Sequence, residues 1–353
     1  MARRLVAEGA SVALVDRDQP GSGATGRSAG FLLAGVAANY AEASERHGRS
    51  TAAEIWAFSL DNHRQLAEAI GAADCGYARR GSWVLPASAA ERDRLLESAA
   101  MLREDGLPGE WHDVAPESGG RYAGGLLNPD DGEVDPARML ARLAAALPPG
   151  VIYAGHRVIG LEAGDGGVRV HLERGELEAG RVVVATNGYT PRLLAAIPIV
   201  ATRAQMLATS PLTTRVADRP IYSDFGYRYW RQLDDRRVLV GGMRNTAFEV
   251  EVGDDDAPTR SLQERLEDFG RGLGITAAVT HRWAGTMGFT PDELPLVGAV
   301  PGQRNVFICG GYSGHGLGFA VAASNCLVDS WSDGRVVPAW LESGRFGTAG
   351  GAA

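Results

Sequence analysis

The sequence contains no lysine, so all thirty-five of its basic residues are arginine. This absence excludes mechanisms in which a lysine amine forms a Schiff base with a substrate or with pyridoxal phosphate. It also excludes a phosphate-binding P-loop, because that loop requires the lysine of G-x-x-x-x-G-K.

Cysteine is also scarce. Cys75, Cys309 and Cys326 are far apart in the sequence and form no C-x-x-C pair. We therefore predict neither a disulfide framework nor a metal site, and we expect each cysteine to be a small buried hydrophobic residue.

Long apolar runs and a positive net charge are missing as well. No run of eighteen apolar residues occurs, so no membrane span is predicted. No secretory signal peptide is evident, and a cytoplasmic protein is expected. The formal net charge of −8 argues against a nucleic-acid-binding surface. A chain of 353 residues is long enough for two domains or one large α/β unit.

The N-terminal part has the features of a dinucleotide-binding unit. Residues 11–15, S-V-A-L-V, predict a strand that runs into Asp16. In a βαβ unit of this kind, an acidic residue at the end of the second strand binds the adenosine ribose. The first strand and its G-x-G-x-x-G turn would lie before Met1, so we expect roughly 15 to 25 residues of such a unit to be absent or lost.

Residues 20–30, P-G-S-G-A-T-G-R-S-A-G, form a small-residue loop with one arginine. The loop fits either a flexible surface segment or a second wall that contacts phosphate.

The stretch at 305–320, N-V-F-I-C-G-G-Y-S-G-H-G-L-G-F-A, predicts a buried strand, a glycine turn and a helix start. Five glycines fall within nine residues, from Gly310 to Gly318. Glycine lets the backbone approach a ligand closely, and a helix start directs unpaired N–H groups and a positive dipole end outward. An anionic ligand, or one that becomes anionic during reaction, is the expected occupant.

The rest of the chain is predicted to form helices and the strands of an antiparallel sheet. Residues 38–71 predict helices in which His47 and His63 face solvent, and Asp135 followed by Pro136 predicts another helix start. Strands such as 201–207 and 227–232 predict an antiparallel sheet on the substrate side.

Five motifs resemble the D-amino-acid-oxidase-like superfamily of flavoproteins, which includes glycine and sarcosine oxidases, D-amino-acid dehydrogenases and γ-glutamylputrescine oxidases. They are V-A-L-V-D with G-S-G-A-T-G-R-S-A-G (12–30), E-V-D-P-A (133–137), V-V-V-A-T-N-G (182–188), T-P-D-E-L-P-L-V-G (290–298) and G-G-Y-S-G-H-G-L-G (310–318). They occur in the family's order over nearly the whole chain, and the last two are the most specific.

The resemblance implies an α/β fold with two domains. An FAD/NAD(P)-binding Rossmann-like parallel-sheet domain, truncated at its N-terminus, would comprise residues 1–45, 134–196 and 286–340. An antiparallel-sheet substrate domain would comprise 46–133 and 197–285. Residues 341–353 are expected to form a disordered tail.

The resemblance also implies non-covalent FAD and oxidation of the carbon–nitrogen bond of a small amino acid or amine, by hydride transfer to flavin N5. By position, the cofactor-binding residues would be Asp16 at the ribose, Gly26, Arg27, Ser28 and Ala29 at the pyrophosphate and flavin edge, Val158 at the adenine, Thr186 and Gly188 over the cofactor, and Gly311, Ser313, Gly314, His315, Gly316 and Leu317 at the flavin. The helix start would stabilise negative charge that develops on the flavin.

Two departures from the family pattern bear on chemistry. Covalently flavinylated members carry a cysteine several residues before T-P-D, whereas this chain has W-A-G-T-M-G-F there, which indicates non-covalent FAD. Some oxidases of the family use a lysine near N5 to activate oxygen. The lack of lysine therefore favours a dehydrogenase, or an oxidase that uses histidine or arginine instead.

The carboxylate of an amino-acid substrate is best bound by arginine, through two parallel N–H bonds. Arg228, Arg231 and Arg244 are the candidates in the antiparallel sheet, and Arg231 or Arg228 is favoured. Tyr229 and Tyr227 are expected to wall the flavin face. His315 could handle a proton or only donate a structural hydrogen bond.

Two further interpretations remain open. The chain could be a cofactor-free relic or interaction protein that has lost its pyrophosphate-binding loop. A nicotinamide-dependent dehydrogenase ranks last, because the motifs at 290–298 and 310–318 have no role in it. The amine, the electron acceptor and the oligomeric state are not predicted.

Overall fold

The computed structural model describes residues 1–71, 75–116 and 120–347. Its helices are α1 (Ala2–Ala7), α2 (Ala24–Arg27), α3 (Tyr40–His47), α4 (Arg49–Ile70), α5 (Ala89–Glu104), α6 (Pro136–Ala145), α7 (Phe248–Glu251), α8 (Arg260–Gly272) and α9 (Gly316–Ser332). None of these described helices combines the length and apolar composition that a membrane crossing requires.

The strands are β1 (Leu14–Asp16), β2 (Phe31–Leu32), β3 (Ser82–Leu85), β4 (Glu110–His112), β5 (Gly125–Asn128), β6 (Gly132–Glu133), β7 (Ile152–Ala154), β8 (Val158–Gly164), β9 (Gly167–Leu172), β10 (Glu176–Ala179), β11 (Val182–Val184), β12 (Val200–Thr209), β13 (Ile221–Ser223), β14 (Arg228–Gln232), β15 (Val238–Gly242), β16 (Val279–Phe289), β17 (Leu296–Ala299) and β18 (Val306–Gly310). Short 3₁₀ helices occupy Asn187–Arg192 and Arg244–Thr246.

Parallel strands pair in two separate small sheets. β1 pairs with β7, with Leu14 opposite Ile152, and β11 pairs with β18, with Val182 opposite Val306. Within the described parts of the chain, β1 and β11 each have one strand neighbour, and both line the same cavity. The predicted parallel sheet is therefore present, as two pieces that border one cavity.

A larger, mostly antiparallel sheet forms the second layer, in the strand order β16-β12-β15-β14-β13-β3-β5-β4. The strands predicted at 201–207 and 227–232 are β12 and β14 of this sheet. β12 pairs along its whole length with β16, which leads back toward the parallel strands. The α/β class, with a Rossmann-like part and an antiparallel-sheet part, is confirmed.

The helix α4 packs on α9 through a shared apolar core that includes Ile55, Phe319 and Ala323. The sequence had assigned residues 46–133 to the substrate side, whereas this contact places α4 against a helix of the dinucleotide-binding side. His63 of α4 is 4% exposed, so the expectation that it faces solvent is wrong. Burial lowers the pKa of His63 to about 4, which keeps this imidazole neutral at pH 7.

The segment expected to be a disordered tail is packed over its first seven residues. Leu341 is fully buried, and the N–H of Ser343 donates to the carbonyl of Val297 at 3.0 Å. Arg345 pairs with Asp292 at 2.7 Å. The prediction is therefore corrected for residues 341–347, and residues 348–353 lie outside the described residues.

A fully buried carboxyl group, Asp131, connects the loop after β2 to the large sheet. Its Oδ1 accepts the N–H of Ala34 at 2.8 Å, and its Oδ2 accepts the hydroxyl of Ser82 at 2.6 Å. Burial raises the pKa of Asp131 to about 7, although these two hydrogen bonds favour the charged form. Asp131 thus joins the loop after β2 to the large sheet through a carboxyl group whose pKa lies near neutral pH.

We predict that Asp131→Asn removes a pH dependence of stability between about pH 4 and 7. In that window the unfolded chain has released this proton and the folded chain has retained it, so wild-type stability falls as the pH rises. Above pH 7, the free energy of unfolding of the wild type is lower by at most about 4 kcal/mol than it is below pH 4 because of this one group. The asparagine can accept from Ala34 and donate to Ser82. Melting temperatures of both proteins across pH 4–8 measure the difference.

Asp130→Asn is the matched control, because Asp130 is an exposed neighbour that pairs with Arg79. A stability difference between wild type and Asp131→Asn that stays constant from pH 4 to 8 contradicts this assignment.

Candidate active site

A cavity of about 2500 Å³ opens between the parallel strands, the large sheet and the start of α9. Cavities that hold drug-sized ligands measure about 300–1000 Å³, so this cavity has room for a larger ligand. Most of the predicted cofactor residues line it, namely Asp16, Gly26, Arg27, Ser28, Ala29, Val158, Thr186, Ser313, Gly314, His315, Gly316 and Leu317. The turn at 310–318 therefore borders open space, as the sequence predicted.

Asn187 holds the glycine turn in place. Its side-chain Oδ1 accepts the N–H of Gly311 at 3.0 Å and the N–H of Tyr312 at 3.3 Å. Asn187 itself has a φ of 45°, a left-handed conformation that asparagine tolerates better than most residues. Its neighbours Thr186 and Gly188 are among the residues predicted from the sequence, whereas Asn187 is not. Its position after the β-branched run of β11, in a turn with glycine, was the available signal.

The first turn of α9 presents free backbone donors to the cavity. The N–H groups of Gly316 and Leu317 make no hydrogen bond among the described residues, and both residues line the cavity. A Cβ on Gly318 would lie 2.7 Å from the carbonyl oxygen of Leu33, so glycine lets this helix start pack on the loop after β2. A 17-residue helix adds a positive dipole end at the same point.

His315 caps this helix start and lines the cavity. Burial lowers its pKa, so the imidazole is neutral at pH 7. Its ring lies edge-on to Tyr222, with 6.2 Å between the ring centroids. The buried Nδ1 has no hydrogen-bond partner in the described structure. His315 therefore contributes a neutral polar ring rather than a fixed positive charge.

The opposite end of the cavity contains the predicted ribose-binding acid. Asp16 ends β1 and is exposed to the cavity, and Val158 lines the same region. Oδ1 of Asp16 accepts the N–H of Asp18 at 2.9 Å, and its other oxygen has no hydrogen-bond partner in the part of the chain that the structure describes. A carboxylate with a free oxygen can accept hydrogen bonds from a sugar diol.

The loop at 20–30 contacts β16 through hydrogen bonds of Arg27. A Cβ on Gly26 would lie 2.0 Å from the carbonyl oxygen of Gly21, so only glycine fits there. Arg27 donates to the carbonyl of Ala284 at 2.8 Å and pairs with Asp256 at 2.9 Å. The guanidinium of Arg27 therefore already binds protein partners, although the residue lines the cavity. These contacts attach the loop to β16, and its residues line the cavity.

The same loop matches G-x-G-x-x-G from Gly21 to Gly26. A dinucleotide-binding turn of this form follows a strand at once and opens a long helix. Here β1 ends at Asp16 and the helix that follows, α2, has four residues. The context therefore differs from that of a pyrophosphate-binding turn.

Two of the predicted cofactor residues support the wall instead of lining the cavity. A Cβ on Gly188 would lie 2.6 Å from the carbonyl oxygen of Met287, and one on Gly311 would lie 2.7 Å from the side chain of Thr290. Both glycines therefore allow close packing of the turns after β11 and β18. Thr186 does line the cavity.

Aromatic rings form the wall on the large-sheet side. Tyr229 lines the cavity, together with Tyr222 and Tyr227. The rings of Tyr222 and Tyr229 lie 5.6 Å apart, and Phe31 contacts both. Gly241 makes room for Tyr229, because a Cβ there would lie 2.2 Å from its ring. Burial raises the pKa of Tyr229 to about 12, so its hydroxyl remains protonated.

The two arginines favoured for the substrate carboxylate do not line the cavity. Arg231 is 5% exposed, pairs with Glu133 at 3.3 Å and donates to the carbonyl of Val134 at 3.1 Å. Arg228 lies on the other face of β14, where it pairs with Asp224 at 3.2 Å. Both assignments are corrected: one arginine is a buried structural partner and the other belongs to the opposite side of the sheet.

Arg244, the third candidate, does line the cavity. Met243, with a φ of 63°, turns the chain after β15 and places Arg244 at the start of a short 3₁₀ helix. The guanidinium carbon lies 4.9 Å from the ring centroid of Tyr227 and 4.5 Å from that of Phe289. Its guanidinium has no acidic partner and no hydrogen-bond acceptor among the described side chains and backbone. It is therefore available to bind an anion.

Comparison with known proteins identifies the family. The model named "FAD dependent oxidoreductase" (DAO) matches residues 1–330. The chain belongs to this family of FAD-dependent oxidoreductases. The expected cofactor, FAD, and the expectation of a redox enzyme are therefore confirmed.

Individual relatives agree with this membership. The chain is 27% identical over 335 residues to a probable oxidoreductase OrdL of Rhizobium meliloti, covering 89% of this chain and 75% of that protein. It is 26% identical over 337 residues to 4-methylaminobutanoate oxidase (formaldehyde-forming) of Paenarthrobacter nicotinovorans, covering 87% of this chain but only 39% of that protein. The crystal structure of glycine oxidase from Geobacillus kaustophilus has the same fold, with a TM-score of 0.79, 19% identity and coverage of 96% and 92% of the two chains.

The residues around the cavity fit FAD at both ends. The free N–H groups of Gly316 and Leu317 suit the flavin, and the free oxygen of Asp16 suits a ribose. Between these ends, the cavity extends along the unpaired edges of β1 and β11, and no helix of ordinary length begins there with a glycine-rich turn in the described structure.

We predict that Arg231→Met destabilises the fold by about 3 kcal/mol, because it removes a buried charge partner and leaves the buried carboxylate of Glu133 with Arg80 as its remaining partner among the described residues. Arg80 lies 3.5 Å from that carboxylate and limits the loss. Chemical denaturation measures the change. Arg228→Met is the control, since its half-exposed ion pair contributes less than about 1 kcal/mol.

The double variant Arg231→Met with Glu133→Gln should recover part of the lost stability, because the uncompensated charge is removed. If Arg231→Met is as stable as wild type, the buried pair has no structural role.

Proposed function

We propose that this protein oxidises the carbon–nitrogen bond of a small amino acid or amine, and that the hydride leaves the substrate for N5 of FAD. The observation that carries the proposal is the free guanidinium of Arg244 in a cavity whose other wall is the start of α9. One site would thus hold a substrate anion and a flavin together.

Arg244 supports a substrate that carries a carboxylate. Guanidinium binds a carboxylate through two parallel N–H bonds, and such charge-assisted bonds are strong where water is excluded. The rings of Tyr227 and Phe289 hold the guanidinium plane and shield it from solvent. Relatives whose names mention amino-acid substrates, such as glycine oxidase and 4-methylaminobutanoate oxidase, support this class.

The tyrosine wall supports recognition of the amine. Burial raises the pKa values of Tyr222 and Tyr229, so both hydroxyls stay neutral and can donate or accept hydrogen bonds. The ammonium form of a substrate must lose one proton before the neutral amine can release a hydride and become an iminium ion. The apolar faces of the rings and the neutral imidazole of His315 favour the neutral amine by desolvation.

FAD, when bound, supplies the two-electron acceptor. Reduction places negative charge near the pyrimidine end of the flavin, and preorganised N–H donors stabilise such charge without reorganising. The N–H groups of Gly316 and Leu317 would be those donors, and the dipole of α9 acts in the same direction. The protein would thus orient the reactants and stabilise charge rather than supply a strong base.

The alternative of a cofactor-free relic is tested by FAD binding. We expect the purified protein to bind FAD in equal stoichiometry and Gly316→Val to bind it at least about tenfold more weakly, because a side chain would obstruct approach to the N–H groups. A Cβ on Gly316 would lie 3.5 Å from Tyr312, an ordinary contact, so the substitution is compatible with the fold.

Gly272→Val is the control, because that glycine ends α8 and a Cβ there would meet no atom within 4 Å. Flavin fluorescence quenching measures both affinities. A wild-type protein that binds no FAD supports the relic and overturns the proposed function.

We predict that Arg244→Met raises the KM for a carboxylate-bearing substrate about 10- to 150-fold, the loss of a charged hydrogen-bonded contact of about 1.5–3 kcal/mol. Candidate amino acids are first screened by anaerobic bleaching of the flavin. For a substrate found in that way, the amine that lacks its carboxylate provides the matched comparison, and its KM should not change.

Arg181→Met is the control variant. Arg181 also lines the cavity, but it stacks on Trp331 at 5.3 Å from the ring centroid. Equal KM values for wild type and Arg244→Met with the carboxylated substrate would remove Arg244 from the site.

A further inference from the structure

One buried amide side chain contacts the backbone of α9 at three points. Nδ2 of Asn62 donates to the carbonyl of Leu317 at 2.8 Å. Oδ1 of Asn62 accepts the N–H of Val321 at 2.9 Å and that of Ala322 at 3.1 Å. Asn62 is fully buried in α4, so all three bonds form away from bulk solvent.

These contacts fall where the backbone ladder of α9 begins. In a regular helix the N–H of Val321 donates to the carbonyl of Leu317, and the N–H of Ala322 donates to that of Gly318. From the neighbouring helix, Asn62 supplies an acceptor for these same two N–H groups and a donor for the carbonyl of Leu317. The orientation of this first turn is therefore set by α4 as well as by the helix itself.

A second polar residue of α4 binds the loop after β2, which packs against the start of α9. Ser59, also fully buried, accepts the N–H of Gly35 at 2.7 Å. Ser59 and Asn62 are three residues apart, so they lie on one face of α4. Ile55 and Leu66 are buried beside them. Two polar groups in an apolar interface thus bond the two segments that border the cavity.

We infer that Asn62 is a positioning residue that fixes the first turn of α9, and with it the N–H groups of Gly316 and Leu317 at the flavin site. The inference rests on the proposed function for the flavin, while the claim about the helix concerns only residues of this chain. Buried hydrogen bonds contribute about 1 kcal/mol each, enough to hold one orientation of a helix end.

The test compares two substitutions in the same pair of helices. Asn62→Leu removes the three bonds to the first turn. Asn325→Leu removes a bond two turns later, where Nδ2 of Asn325 donates to Gln65 of α4 at 2.6 Å. Asn62→Asp retains an acceptor for Val321 and Ala322 and serves as a second variant if the leucine variant does not fold.

The first readout is amide hydrogen exchange without FAD. We expect exchange at Val321 and Ala322 to become at least about fivefold faster in Asn62→Leu than in Asn325→Leu, and to stay nearer to wild type in Asn62→Asp. Equal exchange at these amides in the two leucine variants would overturn the inference.

The second readout is the flavin. We expect Asn62→Leu to bind FAD about tenfold more weakly and to shift its midpoint potential to more negative values, because the N–H donors are less well placed for the reduced form. Asn325→Leu should leave the potential unchanged even if its melting temperature falls. An equal shift of the midpoint potential in both variants also overturns the inference. A wild-type protein that binds no FAD overturns the proposed function instead, and the exchange result then decides the role of Asn62.

Discussion

The site depends on the bond between the Asn187 side chain and the glycine turn that follows β18. One carbonyl oxygen accepts two successive backbone N–H groups, those of Gly311 and Tyr312. This contact joins the turn after β11 to the turn after β18, and the second turn leads directly into α9. It fixes the turn that connects β18, one of the parallel strands, to the helix start. The next link is the N–H of Ser313, which donates to the carbonyl of Gly288 at 2.8 Å and attaches the same turn to β16.

Much of the fold was predictable, because local signals and hydrophobic patterns agreed with it. Asp135 caps α6 through hydrogen bonds to the N–H groups of Ala137 and Arg138, as a helix-start signal requires. The strand, turn and helix order at 306–332 was visible from an apolar run followed by glycines. The packing of residues 341–347 was not, because this short segment carries no periodic pattern and its contacts, such as Arg345 with Asp292, are long-range.

The substrate side shows the limit of reasoning from sequence. The two tyrosines of the wall and the arginines lie close together in the chain, and the direction of each side chain depends on strand register. Arg231 shares a face of β14 with Tyr229, but it forms an ion pair with Glu133, which lies 98 residues away in the sequence. The position of Arg244 is set by the turn at Met243 and by three aromatic rings that the fold brings together from separate segments. Pairing of this kind is a property of the fold, and no local spacing encodes it.

The central claim is that a flavin ring lies against the first turn of α9. A crystal structure of the protein grown with FAD tests it most directly. The account predicts density for the tricyclic ring within hydrogen-bond distance of the N–H groups of Gly316 and Leu317, with one ring face toward Tyr222 and Tyr229. Density for FAD elsewhere, or a first turn of α9 covered by the protein's own side chains in the presence of FAD, would contradict it.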